Sequence, residues 1–123
     1  MSKKNTVIFS NKTNVKPLSV NQAWQGRRFK SKAYTAYETY LLHTLPDTDV
    51  SWADDKIELE LNIGFSNVAS DLDNAVKPFV DILQKKYKFN DKNIYRLVVE
   101  KQIVKRGEDF IEFAIRKISF KKS

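Results

Sequence analysis

Cysteine is absent from the 123 residues, so disulfides and thiolate-held metals are excluded. Histidine occurs once, at His43, and a zinc site there would need several acidic partners. With only three glycines and three prolines, the chain shows no low-complexity linker and no internal repeat. The apolar run Val7, Ile8, Phe9 is too short for a signal-peptide core. No segment approaches membrane-spanning length. The expectation is a cytoplasmic protein with no membrane partner.

What is present is charge of one sign. Lys+Arg total 22 against 15 Asp+Glu, a net charge of +7. That surplus favours polyanions, with nucleic acid ahead of an anionic membrane surface. Hydrophobic content of 41% and charged content of 30% suit a globular chain. The length predicts a single domain over 1–123, with frayed tails at 1–5 and 121–123. Arg27, Arg28, Lys30 and Lys32 alternate with Trp24 and Phe29 around Gly26. Cations can neutralise phosphates there while rings stack or pack. A solvated basic turn is the plainer reading. Lys85, Lys86 and Lys88 form a second basic patch.

Periodicity predicts an α+β domain: a mixed β-sheet with two main helices packed on it. Residues 6–10 read as a short strand, 11–16 as turn, 17–21 as an ordered loop. Ser31 caps a helix running to Leu45, with Tyr34, Tyr37, Leu41 and Leu45 on one face and Pro46 as its stop. His43 suits the C-terminal dipole and is given no catalytic role. Residues 47–58 space their oxygens like a calcium loop, but Trp52 stands where the sharp turn needs glycine. Ile57, Leu59, Leu61, Ile63 and Phe65 alternate strictly, the clearest strand in the chain. Gly64 marks a bulge or a close approach. A second helix presents Val76, Phe79, Val80 and Leu83. Pro78 belongs in its first turn, which starts the helix near Asp73 or Asn74 and leaves Asp71 in the loop. Residues 94–104 read as a long strand, and 105–108 as a hairpin turn around Gly107. Ile111, Phe113 and Ile115 then change parity to Ile118 and Phe120, which predicts a bulge near Arg116 and Lys117.

Acids concentrate in one stretch of this basic chain. Asp71 and Asp73 sit at the mouth of the second helix, Lys77 follows one turn later beside Asp73, and Asp91 lies downstream. Phosphodiesters repel nucleophiles, and a hard divalent cation on carboxylates offsets that charge. Lys77 could contact the scissile phosphate. The same residues admit plainer roles: Asp71 or Asp73 as a helix cap, Asp73 and Lys77 as an exposed ion pair, Asp91 as a turn residue.

Asp71-Leu72-Asp73-Asn74, Lys77-Pro78, Asp81, Leu83 and Asn90-Asp91 together resemble the RusA family of Holliday junction resolvases. Residues 17–21 and 31–34 resemble its N-terminal part. The likeness implies a RusA-like fold from about Lys16 onward. It implies magnesium or manganese on Asp71, Asp73 and Asp91, with Lys77 assisting. It further implies a homodimer acting on branched DNA, specifically the four-way junction, in recombination and repair by paired symmetric nicks. A phage or prophage origin is in keeping with the family. Where the family often carries two adjacent acids at the last site, this chain has Asn90, so the ligating burden there falls on Asp91. The alternatives are a nuclease for other branched DNA and a non-catalytic DNA-architecture protein.

Overall fold

A computed structural model describes residues 8–19, 24–25, 29–52 and 55–118. The sheet is built around β4 (Ile57–Phe65), the strand whose alternation is strictest. Ile57, Leu59, Leu61 and Ile63 are fully buried on one face, while Glu58, Glu60 and Asn62 occupy the other. Each such aliphatic side chain contributes about 1.5–3 kcal/mol relative to exposure. The elements in chain order are β1 (Ile8–Thr13), β2 (Trp24–Gln25), β3 (Phe29–Lys30), α1 (Lys32–Thr44), β4, α2 (Leu72–Tyr87), a 3₁₀ turn (Asp91–Asn93), β5 (Ile94–Ile103) and β6 (Phe110–Lys117). β2 and β3 make a separate two-stranded ribbon. The main sheet is mixed and ordered β1-β6-β4-β5, with β5 parallel to β4 and β6 antiparallel to β4 and β1. The expected α+β class, mixed sheet and two helices are all present.

Helices α1 and α2 supply the other half of the core. Tyr34, Tyr37 and Leu41 come from α1, and Ala75, Phe79, Ile82 and Leu83 from α2. Phe79 and Tyr87 reach Phe113 of β6, and Phe9 of β1 closes against both Tyr87 and Phe113. Ser31 caps α1 as predicted, its hydroxyl accepting from the Tyr34 amide at 3.1 Å. Lys88, at φ 60°, ends α2 in the left-handed region.

Four expectations need correction. Residues 105–108 do turn, with Gly107 at φ 84°, but they do not close a hairpin. β4 lies between β5 and β6, so the connection steps past its end, where the Val104 amide donates to the Phe65 carbonyl at 2.8 Å. β1 continues through Asn11, Lys12 and Thr13, because β6 offers them ladder partners up to Ile111. α2 begins at Leu72, so Pro78 is an interior residue rather than a first-turn one. Its missing N–H costs helix energy. Pro78 faces the core and is buried there, which partly offsets that cost. Finally, β6 pairs regularly with β4 through Lys117, and the register shift falls instead between β4 and β5 at Ile57/Glu58. Phe120 lies outside the described residues.

Candidate functional site

β4 delivers the chain to the acidic stretch, and β5 holds it there. Lys101 of β5 donates from its ammonium to the carbonyls of Ser70 at 2.6 Å and Val68 at 3.0 Å. The same ammonium lies 5.7 Å from the Phe65 ring centroid. Asp109 accepts from the Ser66 amide at 3.1 Å, pinning the start of the loop.

Asp71 occupies the N-cap position of α2, with extended backbone, yet its carboxylate accepts no first-turn amide. It takes the Asn74 side-chain amide instead, at 3.3 Å. Asp73 lies in the first turn, where the helix dipole favours an anion. Its carboxylate is exposed and has no ion pair among the described residues. Lys77 does not pair with Asp73. Its ammonium turns one turn onward to Asp81, at 3.3 Å. Asp81 is the more sheltered acid and also accepts from Gln84 at 3.5 Å.

Asp91 opens the 3₁₀ turn. Asn90 caps that turn by accepting from the Lys92 amide at 3.0 Å. The Asp91 amide donates to the Gln84 side-chain oxygen at 2.9 Å, so α2 holds the turn while the Asp91 carboxylate stays exposed. Asn90 thus shapes the turn that presents Asp91.

The acids open into two concavities. A groove of about 480 Å³ between α2 and β5 is lined by Lys77, Asp81, Gln84, Asp91 and Arg96. A hollow of about 310 Å³ near the end of β4 contains Asp71, Asn74, Asp109 and Lys16. Asp73 lines neither. Among the described residues, no three carboxylates or imidazoles are gathered closely enough to hold a metal ion. In kind, Asp71, Asp73 and Asp91 fit a hard cation: their donors are carboxylate oxygens, and none of the three has a lysine or arginine partner among the described residues.

The basic residues divide in the same way. Lys30 and Lys85 flank Glu38, which is 13% exposed, with Lys30 at 3.5 Å and Lys85 in direct hydrogen-bond contact. Partial burial pushes the Glu38 carboxyl up, but the hydrogen bond from Lys85 and the charges of Lys30 and Lys85 outweigh it and hold the group below its ordinary value. Lys86 is tied to Asp47 at 3.0 Å and to the Leu42 carbonyl at 3.1 Å. Lys32 and Lys88 are exposed and make no ion pair among the described residues. Arg27, Arg28 and Gly26 lie outside the described residues.

Sequence reasoning missed Gln84, Asp81 and Lys101 as parts of the site. Lys101 had a legible signal: it shares the parity of Leu97 and Val99 in a strand where that face should be apolar. Gln84 had none beyond lying three residues after Asp81.

Fold and site together define a small basic α+β protein with uncommitted carboxylates beside a helix N-terminus and a helix–strand groove. No family model matches the chain, and no curated protein matches it. No helix of the described residues is long and apolar enough to cross a membrane.

Proposed function

We propose that the chain is a metal-dependent endodeoxyribonuclease that resolves four-way DNA junctions by paired nicks, acting as a homodimer. The observation that carries this reading is Asp71: it holds the cap position without capping, and Asp73 and Asp91 are likewise exposed and without a cationic partner among the described residues. Carboxylates left uncompensated in a chain of net charge +7 are available to a divalent ion. Asp71, Asp73 and Asp91 would hold magnesium or manganese. When bound, the ion would lower the pKa of its water and offset phosphate charge. Lys77, on the groove wall, would bind the scissile phosphate on leaving Asp81, an exposed pair worth well under about 1 kcal/mol. Arg27, Arg28, Lys30, Lys32, Lys85 and Lys86 would neutralise flanking phosphates.

A second reading has its own support. The three acids are not gathered into one site among the described residues, as suits a DNA-architecture protein that binds without cutting. A nicking assay separates the two, using a four-way junction, a flapped duplex and a linear duplex, each with magnesium, manganese or excess chelator. The nuclease reading expects metal-dependent, symmetric nicks in the junction. Preferential cutting of the flap would redirect it to other branched DNA. Binding without cleavage in either metal, or cleavage undiminished by chelator, would overturn it.

A further inference from the structure

The two helices begin alike and are finished differently. Ser31 and Asp71 both hold the N-cap position with extended backbone. Ser31 accepts from the Tyr34 amide, the third of α1. Aspartate caps about as well as serine. Yet the Asp71 carboxylate takes no first-turn amide, so the corresponding one, that of Asn74, goes uncapped. The backbone differs in step: Ser31 stands at φ −72°, ψ 166° and Asp71 at φ −89°, ψ 124°.

The two dihedrals of Asp71 relate the rigid peptide plane before it to the one after it. The plane after it belongs to α2. The plane before it carries the Ser70 carbonyl, which accepts from the Lys101 ammonium at 2.6 Å. With both planes held, the φ and ψ of Asp71 are imposed, and they stop short of the geometry with which Ser31 caps.

An exposed lysine ordinarily keeps its ammonium in water, and ordering its long side chain costs entropy. Lys101 instead turns its ammonium over the Phe65 ring and onto two carbonyls of one loop, the second being Val68 at 3.0 Å. Bonds from a charged donor are shorter and stronger than neutral ones. The other ties of the loop lie elsewhere. Asp109 takes the Ser66 amide, and Asn67 takes the amides of Ala69 and Ser70. None of these reaches the Ser70 carbonyl. Lys101 makes no ion pair among the described residues, so its removal strands no acid.

We infer that Lys101 is a positioning residue for Asp71. By holding the Ser70 carbonyl it keeps the Asp71 carboxylate off the helix amides and open to the hollow at the end of β4, where a divalent cation can reach it. Release of that carbonyl lets Asp71 turn into the cap, and cap and cation then compete for one carboxylate. The competition rests on reading Asp71 as a metal ligand; the capping geometry does not.

Lys101→Met removes the donor, and Lys105→Met, just beyond β5, removes the same charge as a control. In chelator, solvent exchange of the Asn74 amide, followed by NMR, should slow about fivefold in Lys101→Met, as one added hydrogen bond gives, and keep its wild-type rate in Lys105→Met. Without DNA, the manganese concentration at half-saturation, read from water proton relaxation, should rise about threefold or more. Loss of a positive charge alone would tighten cation binding, so a weakening reports the carboxylate. In nicking of a four-way junction the half-saturating metal should rise alike, with kcat at saturating metal unchanged and KM for DNA matching that of Lys105→Met. Lys101→Arg, which keeps donors, should return toward the wild type. Circular dichroism confirms the fold. If Lys101→Met does not fold, Lys101→Gln, with a neutral donor, should give smaller shifts of the same sign. Unchanged Asn74 exchange in the folded variant would overturn the inference, as would manganese binding as tight as in the wild type. A wild type that nicks nothing, beside a slowed Asn74 amide and weakened manganese in Lys101→Met, would sink the nuclease and keep the positioning. A wild type that nicks with metal, beside a Lys101→Met unchanged in exchange and metal response, would do the reverse.

Discussion

The Asp91 amide donates to the Gln84 side-chain oxygen at 2.9 Å, joining the turn before β5 to the fourth turn of α2. Gln84→Met keeps the volume and removes this acceptor. A single such bond is worth about 1 kcal/mol net. Exchange of the Asp91 amide with solvent should accelerate about fivefold, while global stability changes by less than about 1 kcal/mol. Unchanged exchange in a hydrogen-exchange experiment would mean that the turn holds itself.

Caps that work and caps that do not can be compared within this chain. Ser31 accepts a first-turn amide and Asp71 does not. Ser31→Ala should therefore cost about 0.5–2 kcal/mol in urea unfolding. Asp71→Ala should cost less than about 0.5 kcal/mol. If it also abolishes metal-dependent nicking, the carboxylate acts on chemistry. A loss of about 1 kcal/mol or more would return Asp71 to a structural cap.

Glu38 sets an acid limit. Its carboxyl is held below 4.5, so its contribution to stability is complete above that value and lost as pH falls through the lowered folded value. Lys85 is raised above 10.5, chiefly by its hydrogen bond to Glu38, so its share persists below that value and is lost as pH rises through the folded one. Glu38→Gln should be less stable than the wild type near neutrality, with the gap closing in acid. Urea midpoints across that pH range check the sign.

Gly64 has no room for a side chain. A Cβ there would collide with the Phe110 ring, which itself lies under the Lys12 ammonium at 4.3 Å. Gly64→Ala should cost about 1–3 kcal/mol. Pairing it with Phe110→Leu, which makes space, should recover part of the loss in a double-mutant cycle.

Where one face meets the core, the pattern spoke plainly: β4 runs from Ile57 to Phe65 as its alternation predicts. Asn11, Lys12 and Thr13 carry no such apolar pattern: the β6 backbone ladder recruits them, with Lys12 adding a contact over the Phe110 ring. Pro78 misled the helix start, since its burial lets an interior proline stand. The turn at Gly107 reads the same whether the chain folds back on its neighbour or steps over a strand, so the strand order was not legible. Of the candidate site, the identities of Asp71, Asp73, Asp91 and Lys77 could be read. The partner of Lys77 could not, because Asp73 and Asp81 lie four residues to either side of it.

The insertion of β6 between β1 and β4 has a consequence for how the chain reaches its native state. Ile8 finds its ladder partner in Arg116, so the sheet's first strand waits on its last. Pairings this distant in sequence are slow to form, because a long loop must close before any contact rewards it. During synthesis, at about 5–20 residues per second, β1 emerges seconds before β6. In that interval β4 lacks its antiparallel neighbour β6, and the nascent chain depends on β5 and α2 to keep it from other chains.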